Sequence, residues 1–176
     1  MTRTRVAVLT LLAMVAFAGN SLLCRVALRE TGIDAAMFTA VRIVSGALVL
    51  WLIVRTRGNA RPGSGSWTSA AALFGYAACF SFAYLNLSAG TGALLLFGAV
   101  QATMIGYGLW SGERLRRWQV VGLVLALVGL VGLVLPGMTA PPVVGSGLML
   151  MAGVAWGVYS LRGRSSGEPI RTTAEN

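Results

Sequence analysis

Residues 148–164, LMLMAGVAWGVYSLRGR, restart a pattern that first occurs at residues 9–25, LTLLAMVAFAGNSLLCR. At a constant offset of 139 positions, Ser21 and Arg25 match a second serine and a second arginine, and an aromatic residue followed by a small one recurs. The shared Leu, Ala and Val carry less weight, because apolar helices resemble one another by composition. Since an internal repeat decides the architecture, we conclude that a second copy of one unit begins near residue 148.

The composition of the chain is that of a membrane protein. It has 176 residues, of which 56% are hydrophobic and 11% charged, and its mean hydropathy is +0.77. A soluble domain of this size does not need so much apolar surface. The net charge of +9 does not indicate a nucleic-acid partner, because the 14 cations are all Arg in short clusters between apolar runs. A nucleic-acid-binding protein places them on one face with interleaved aromatic residues.

The residue types needed for enzymatic or metal chemistry are scarce. The chain contains no His, which removes a Ser-His-Asp triad, a His-ligated zinc site and a His-ligated haem. No paired carboxylates or Cys-rich cluster replaces them. Cys24 and Cys79 lie inside apolar segments, and we interpret them as small buried hydrophobic residues rather than as a disulfide or a reactive thiol. We therefore predict neither an enzyme nor a bound metal or cofactor.

Six apolar segments are long enough to cross a bilayer, which takes about 20 residues as a helix. Inside lipid the backbone must satisfy its own hydrogen bonds, so these segments are helices rather than strands. The predicted fold class is all-α, a polytopic helical membrane protein with six transmembrane helices that form part of an inverted-repeat transporter. The predicted spans are residues 6–28, 35–54, 67–87, 91–111, 119–135 and 145–161.

The connections between these segments alternate in charge. The breaks are a polar Gly/Pro linker at 55–66, a tight turn at 87–91, a charged turn at 112–118 and a Pro-rich stretch at 136–145. Arg-rich short loops stay in the cytoplasm, so both termini are predicted to be cytoplasmic in the cell (inner) membrane. One set of connections carries Arg3, Arg5, Arg55, Arg57, Arg61, Arg114, Arg116, Arg117, Arg162, Arg164 and Arg171, whereas the other carries Arg25 and Arg29, offset by Glu30 and Asp34.

The N-terminal segment has an alternative interpretation. Two arginines, an apolar stretch and the triplet Ala16-Phe17-Ala18 resemble a signal peptide with a cleavage site. The repeat runs through that site and on to Arg25, and a cleaved leader has no reason to recur at residue 148. We therefore favour an uncleaved first helix, and a mature N-terminus at Gly19 would contradict this.

The number of segments between the two copies fixes their relative orientation. The copies are the first and the sixth segment, so four segments lie between them and the second copy enters the membrane from the opposite side. Inverted-topology repeats are typical of secondary transporters, whose substrate sites lie near the midplane between the halves. We divide the chain into a first five-helix repeat, residues 6–136, and the incomplete start of a second, residues 145–176. The chain is thus expected to be a truncated or split transporter, which a missing second half or a homodimer partner completes.

Short motifs spread over essentially the whole chain resemble those of a known protein family. The chain resembles the drug/metabolite transporter superfamily in its ten-helix EamA-type branch. Two departures are that Gln101 stands where the family often has Pro, and that Phe17 replaces the more usual Trp. The resemblance implies export of small metabolites, amino acids or drugs. The motifs are Phe17-Ala18 with Arg25, Phe38 with Arg42 and Gly46, the GALL opening at 92–95, GERL at 112–115, LPG at 135–137 and AWGVYS at 155–160.

Polar and aromatic residues inside the spans are the candidates for a substrate site. Asn20 and Gln101 are expected to face the interior, because polar side chains are costly in hydrocarbon. Two roles remain open for these residues: they line a substrate cavity, or they only form hydrogen bonds between helices. An aromatic stripe spaced by four on the third segment shares one face, and core packing is its alternative role. The full set of predicted substrate-binding residues is Phe17, Asn20, Tyr76, Phe80, Tyr84, Gln101, Met104, Trp156 and Tyr159.

Arg42 is the one charge well inside a predicted span, and no acidic residue lies in any of the six. Its partner is therefore expected to be a backbone carbonyl, a lipid phosphate or the missing half. We favour a structural role over the binding of an anionic substrate, although an intramembrane charge is a functional candidate by default. Gly98, Ala102 and Gly106, spaced by four, are predicted to let helices approach closely.

The predicted function is a small-molecule exporter or permease that works by alternating access between inverted halves, in contact with the lipid bilayer. The alternative is a non-transporting membrane assembly partner or a truncated gene product. Further apolar helices in the downstream reading frame would distinguish the first from the second. The sequence leaves the substrate, the direction of transport and the coupling ion open. The 176-residue chain alone is expected to transport nothing, because half of the cavity walls are absent.

Overall fold

The computed structural model describes residues 3–56, 65–134, 141–164 and 169–176, with the side chains of 130–134 and 169 left out. No strand occurs in these ranges, which confirms the predicted all-α fold. In chain order the helices are α1 (Arg3–Glu30), α2 (Ala35–Thr56), α3 (Trp67–Ala83), α4 (Ala89–Trp110), α5 (Arg117–Val134), α6 (Val143–Gly163) and α7 (Pro169–Ala174).

The apolar helices correspond to the six predicted spans. By length and composition, α1, α2, α4 and α6 suffice to cross a membrane, whereas α3 and α5 are shorter apolar helices. The chain is therefore a polytopic helical membrane protein, as predicted. That α3 and α5 also cross the bilayer stays a prediction. The linker at 55–66 and the Pro-rich stretch at 136–145 lie largely outside the described residues.

Polar side chains set the start of three helices. The Asp34 carboxylate accepts hydrogen bonds from the backbone N–H groups of Ala36 and Met37, each 2.9 Å long, at the start of α2. Ser66 and Ser88 do the same for α3 and α4, each accepting from the N–H group three residues on. Such caps satisfy N–H groups that the first turn of a helix leaves without partners.

The turn between α3 and α4 lies earlier than predicted. The helix ends at Ala83 rather than at residue 87, and the next begins at Ala89 rather than at residue 91. The backbone N–H of Leu87 donates to the carbonyl of Ala83 over 3.1 Å, which closes the turn. The prediction was wrong here because the turn is itself apolar, so hydropathy gave no break, and the capping role of Ser88 decided the boundary.

A glycine terminates α4. Gly112 has a φ of +86°, a conformation that residues with a Cβ rarely adopt. The N–H of Glu113 then donates to the carbonyl of Gly108 over 2.9 Å. This six-to-one bond is typical of a Schellman motif at a helix C-terminus.

The most extensive packing places α6 against α3 and α4. A Cβ built on Gly153 would lie 2.5 Å from the Ala99 Cβ, and one on Gly157 would lie 2.8 Å from the Thr103 Cβ. Only glycine allows this close approach of α6 to α4, which is the usual role of small residues between membrane helices.

The small-residue stripe predicted for α4 does not make this contact. Ala102 and Gly106 are exposed, and nothing lies within 4 Å of a Cβ built on Gly106. The face of α4 that meets α6 is instead that of Ala99 and Thr103, because the glycines that need close contact lie on α6.

The buried core lies where the second half of α1 meets α2, α3, α4 and α6. Cys24 and Cys79 are free thiols, the first buried and the second half-buried. The side chains described for α5 include none that is buried. The core cluster is Cys24, Leu28, Ala35, Phe80, Ala83, Tyr84, Leu87, Leu95, Leu96, Met149 and Ala152.

The short helix α7 was not predicted from the sequence. It lies against α2, and Asn176 just beyond it accepts a 2.7 Å hydrogen bond from the Ser66 N–H through its Oδ1. Arg162 at the end of α6 donates to the hydroxyls of Ser66 and Ser69, both over 3.1 Å. A six-residue helix is too short to show an apolar period, and it depends on these tertiary contacts.

Candidate functional site

A cleft opens where α1, α3, α4 and α6 meet. The space enclosed between them is about 10 Å³, roughly the room that one water molecule needs, and the cleft is otherwise open to the surroundings. We name it the α1–α6 cleft, and its lining is mostly aromatic with few polar groups, as is typical of small-molecule sites. The lining residues are Phe17, Asn20, Ser21, Tyr76, Leu96, Phe97 and Trp156.

Two residues that occupy equivalent positions in the predicted repeat line this cleft. Phe17 of α1 and Trp156 of α6 are related by the offset of 139 positions, and both line it. Phe17 packs edge-on against Phe97, with ring centroids 5.7 Å apart. Trp156 packs against Tyr76, with centroids 4.7 Å apart. Two of the aromatic walls therefore come from residues that are 139 positions apart in the sequence.

Arg42 is held by side chains on two neighbouring helices. Its Nη2 donates to the Asn20 Oδ1 over 3.4 Å, and its Nη1 donates to the Ser81 Oγ over 3.5 Å. The Ser81 hydroxyl in turn donates to the carbonyl of Ala77 over 2.8 Å. The expectation that its partner would be a backbone carbonyl, a lipid phosphate or a missing half was therefore wrong. The sequence does not show how α1, α2 and α3 are positioned along one another, and this positioning is what brings Asn20 and Ser81 next to Arg42.

The Arg42 guanidinium also lies over aromatic faces. Its central carbon is 4.9 Å from the Phe80 ring centroid and 5.7 Å from that of Phe38, within the range of cation–π attraction. The Phe80 ring packs against Tyr76, with centroids 5.3 Å apart. The Tyr76 side chain lies close enough to Arg42 and Asn20 to interact with both. A positive charge thus lies directly behind the polar wall of the cleft.

Two of the predicted site residues form the packed layer behind the cleft rather than its lining. Phe80 and Tyr84 are fully buried, with ring centroids 4.8 Å apart. The Tyr84 hydroxyl donates to the carbonyl of Ala89 over 3.3 Å, and its ring covers Gly92, where a Cβ would lie 2.5 Å from the Tyr84 Cε1. These contacts fix the end of α3 against the start of α4.

Three further predicted residues lie outside the cleft lining. Gln101 is exposed and Met104 is half-buried on α4. Tyr159 packs its ring 5.8 Å from that of Trp156, and its hydroxyl shares a 2.7 Å hydrogen bond with Thr173. Tyr159 therefore connects the cleft wall to the C-terminal segment. Of the nine predicted residues, the cleft brings together Phe17, Asn20, Tyr76 and Trp156.

Sequence reasoning missed Ser21, Leu96 and Phe97 as lining residues. The signal for Ser21 is its identity with Ser160 at the equivalent position of the predicted repeat. Phe97 precedes Gln101 by one helical turn, so it shares a face with a residue that was singled out. In the described part of the chain, no group of three or more His, Cys, Asp or Glu residues could hold a metal ion.

Comparisons with known proteins agree with this architecture. The profile of the EamA-like transporter family matches residues 4–135. An uncharacterized protein of Pseudomonas aeruginosa is 57% identical over 173 residues, which cover 98% of this chain. The chain spans 60% of the length of that relative. No solved structure matches.

Proposed function

Because the chain belongs to the EamA-like transporter family, whose members are membrane transporters, we propose that it forms the first half of a transporter for small solutes. In this proposal residues 6–136 are one repeat and residues 145–176 begin the second, inverted one. The solute occupies the α1–α6 cleft, and transport proceeds by alternating access. The protein resides in the inner membrane with both termini in the cytoplasm.

The observation that carries the proposal is the meeting of Phe17 and Trp156 in one cleft. Substrate sites of inverted-repeat transporters lie where the repeats meet. Equivalent residues of two inverted units come together only near the axis that relates the units. Asn20, the neighbouring polar group, lies at the same level and gives the aromatic walls a hydrogen-bonding group that can orient a solute.

The exposure of α1 and α4 near the cleft supports the proposal that further helices, outside this chain, complete its walls. Phe17 is 43% exposed although it lines the cleft, and Gln101 on α4 is exposed as well. A polar amide in the middle of a membrane helix is costly against lipid. A second half, or a second copy of this chain, would cover both residues. The solutes proposed are small metabolites, amino acids or drugs.

Flux measurements test this proposal. Proteoliposomes that contain the longer Pseudomonas aeruginosa relative are screened with a panel of labelled solutes, and leucine or alanine then replaces the residues aligned with Asn20 and Trp156. We expect the relative to transport at least one solute. Each of the two substitutions should reduce that flux by about tenfold or more, because the solute site loses contacts made during translocation. The substitution aligned with Trp110→Ala is the control, since Trp110 is 88% exposed and lies outside the cleft.

The 176-residue chain is tested beside the relative. We expect no flux through it alone. Equal flux through the wild-type relative and both cleft variants would contradict the assignment of the cleft. Flux through the isolated chain would contradict the need for a second half.

A further inference from the structure

We infer that the α1–α6 cleft selects organic anions, solutes in which a carboxylate or phosphate is attached to an apolar body. This inference rests on the proposed function and names the substrate class of the same site. It follows from the charge behind the cleft, from the orientation of one amide, and from a second cation further along α1.

The first step is that the charge of Arg42 has only neutral partners. Its hydrogen bonds go to Asn20 and Ser81, and both are long for bonds to a charged group. The acidic side chains in the described part of the chain lie at helix ends or beyond them, at Glu30, Asp34, Glu113 and Glu175. A charge away from water is stabilised mainly by an opposite charge, and a bound anion would supply one.

The second step is that Arg42 fixes which end of the Asn20 amide faces it. A guanidinium has donors and no acceptor, so the Asn20 oxygen must point toward Arg42, as observed. On its other side the Asn20 amide interacts with the Tyr76 side chain, which also interacts with Arg42. Because Asn20 and Tyr76 both line the cleft, the donors of its polar wall, the Asn20 amide and the Tyr76 hydroxyl, lie next to the positive charge of Arg42. Such donors favour an anionic acceptor.

The third step is a second arginine on α1. Arg25 follows Asn20 by five residues, or about 7.5 Å along a helix. Its Nη1 is buried and has no hydrogen-bond partner among the described residues. Buried donors are rarely left in this state. Arg25 therefore offers a donor further along α1, short of the acidic residues at its end, and an anion that leaves or enters on that side would meet it.

The aromatic walls alone would allow the opposite selectivity, because aromatic faces also attract organic cations. The face of Phe80 nearest to this charge is already occupied by Arg42, 4.9 Å from its centroid. A cation in the cleft would then lie close to a like charge, in a place where low dielectric strengthens the repulsion. The remaining rings, Phe17, Phe97 and Trp156, are left to pack against an apolar body.

A set of three probes with one carbon skeleton tests the selectivity. The full chain is placed in nanodiscs of phosphatidylcholine, and equilibrium dialysis measures binding of 3-phenylpropanoate, 3-phenylpropanamide and 3-phenylpropylamine. We expect the carboxylate to bind about tenfold or more tightly than the amide, because its acceptor is charged. The amine should bind most weakly. Equal binding of all three would overturn the inference and leave a solute site in place, whereas binding of none would overturn the inference and show that these residues form no binding site without a second half.

Variants of Arg42 connect the selectivity to its source. In Arg42→Gln the preference for the carboxylate over the amide should disappear while the amide still binds, and in Arg42→Lys the preference should persist. Arg55→Gln, on the same helix but stacked on Trp51 at the helix end, is the matched control and should keep the preference. An unchanged preference in Arg42→Gln would contradict the inference. If that variant does not fold, Asn20→Asp provides the same test, since its carboxylate would pair with Arg42 and the preference for the carboxylate probe should disappear.

The anion could also be a lipid headgroup, and one further arm separates the two sources. The dialysis is repeated in nanodiscs in which phosphatidylglycerol replaces part of the phosphatidylcholine. Unchanged binding of 3-phenylpropanoate supports a soluble organic anion as the solute. Loss of that binding would support the same anion chemistry but assign it to a headgroup phosphate.

Discussion

Helices α1 and α6, which we propose to be copies of one repeat, share a sequence pattern and occupy different environments. On α6 five residues are buried, and the helix packs closely on α3 and α4. On α1 three are buried, all after residue 20, and the first half of the helix is exposed. In an inverted-repeat protein, the first helix of each unit can pack into the other unit. The proposed transporter therefore explains why α6 is more buried than α1. Helix α6 packs against helices of the first unit, whereas in this proposal α1 would pack against helices of the second unit.

The strongest way to break this comparison is to enlarge one glycine on each helix. Gly153→Leu would drive a side chain into Ala99 and the backbone carbonyl of Leu96, which lie 2.5 and 2.6 Å from a Cβ at that position. We expect a loss of at least about 3 kcal/mol in the free energy of unfolding, at the upper end for overpacking. The matched change Gly19→Leu on α1 has open space around it and should cost less than about 0.5 kcal/mol. Thermal unfolding in detergent measures both, and equal melting temperatures would contradict the packing described for α6.

A smaller effect is expected from a matched pair of methionines. Met149 on α6 is fully buried in the core, whereas Met14 on α1 is 64% exposed. Met149→Ala should lower the free energy of unfolding by about 2 to 3 kcal/mol, because it removes buried contacts and leaves a cavity. Met14→Ala should change it by less than about 0.5 kcal/mol. Chemical denaturation in mixed micelles checks this, and a larger loss for Met14→Ala would mean that α1 is the better packed helix.

The smallest effects concern Asn20 and Tyr159, which are equivalent in the repeat. Asn20→Leu removes the bond to Arg42 and leaves a half-buried guanidinium with one partner fewer, at a cost of about 1 to 2 kcal/mol. Tyr159→Phe removes the bond to Thr173, at a cost of about 0.5 to 1 kcal/mol, a usual value for one hydrogen bond. A double-mutant cycle of Asn20→Leu with Arg42→Gln isolates the first interaction. A coupling energy near zero would show that the two side chains do not interact.

Much of the fold could be predicted because its causes are local. Runs of apolar residues separated by arginines are sufficient to locate six helices, whereas boundaries and short elements depend on other causes. The end of α3 was placed too late because Leu85 and Leu87 continue the apolar run through the turn. Helix α7 was missed because contacts with α2 and Ser66, distant in the sequence, hold its six residues in place.

The candidate site could be predicted only in part, and the successes came from the repeat. Phe17, Asn20 and Trp156 were found because the two copies of the unit were aligned. Gln101 was placed on the right helix but one turn beyond Phe97, which is the level of α4 that lines the cleft. That level depends on how Gly153 and Gly157 seat α6 against α4. This long-range fit between two helices is not encoded in the periodicity of either one.

The claim on which everything else depends is that α1 and α6 are copies of one unit that enter the membrane from opposite sides. It is tested by single cysteines at the two starts, Thr4→Cys and Val143→Cys, in a chain whose native Cys24 and Cys79 are replaced by alanine. A membrane-impermeant maleimide is applied to intact cells and then to permeabilised ones. We predict that Val143→Cys reacts in intact cells and that Thr4→Cys reacts only after permeabilisation. Labelling of both cysteines from the same side would contradict an inverted repeat.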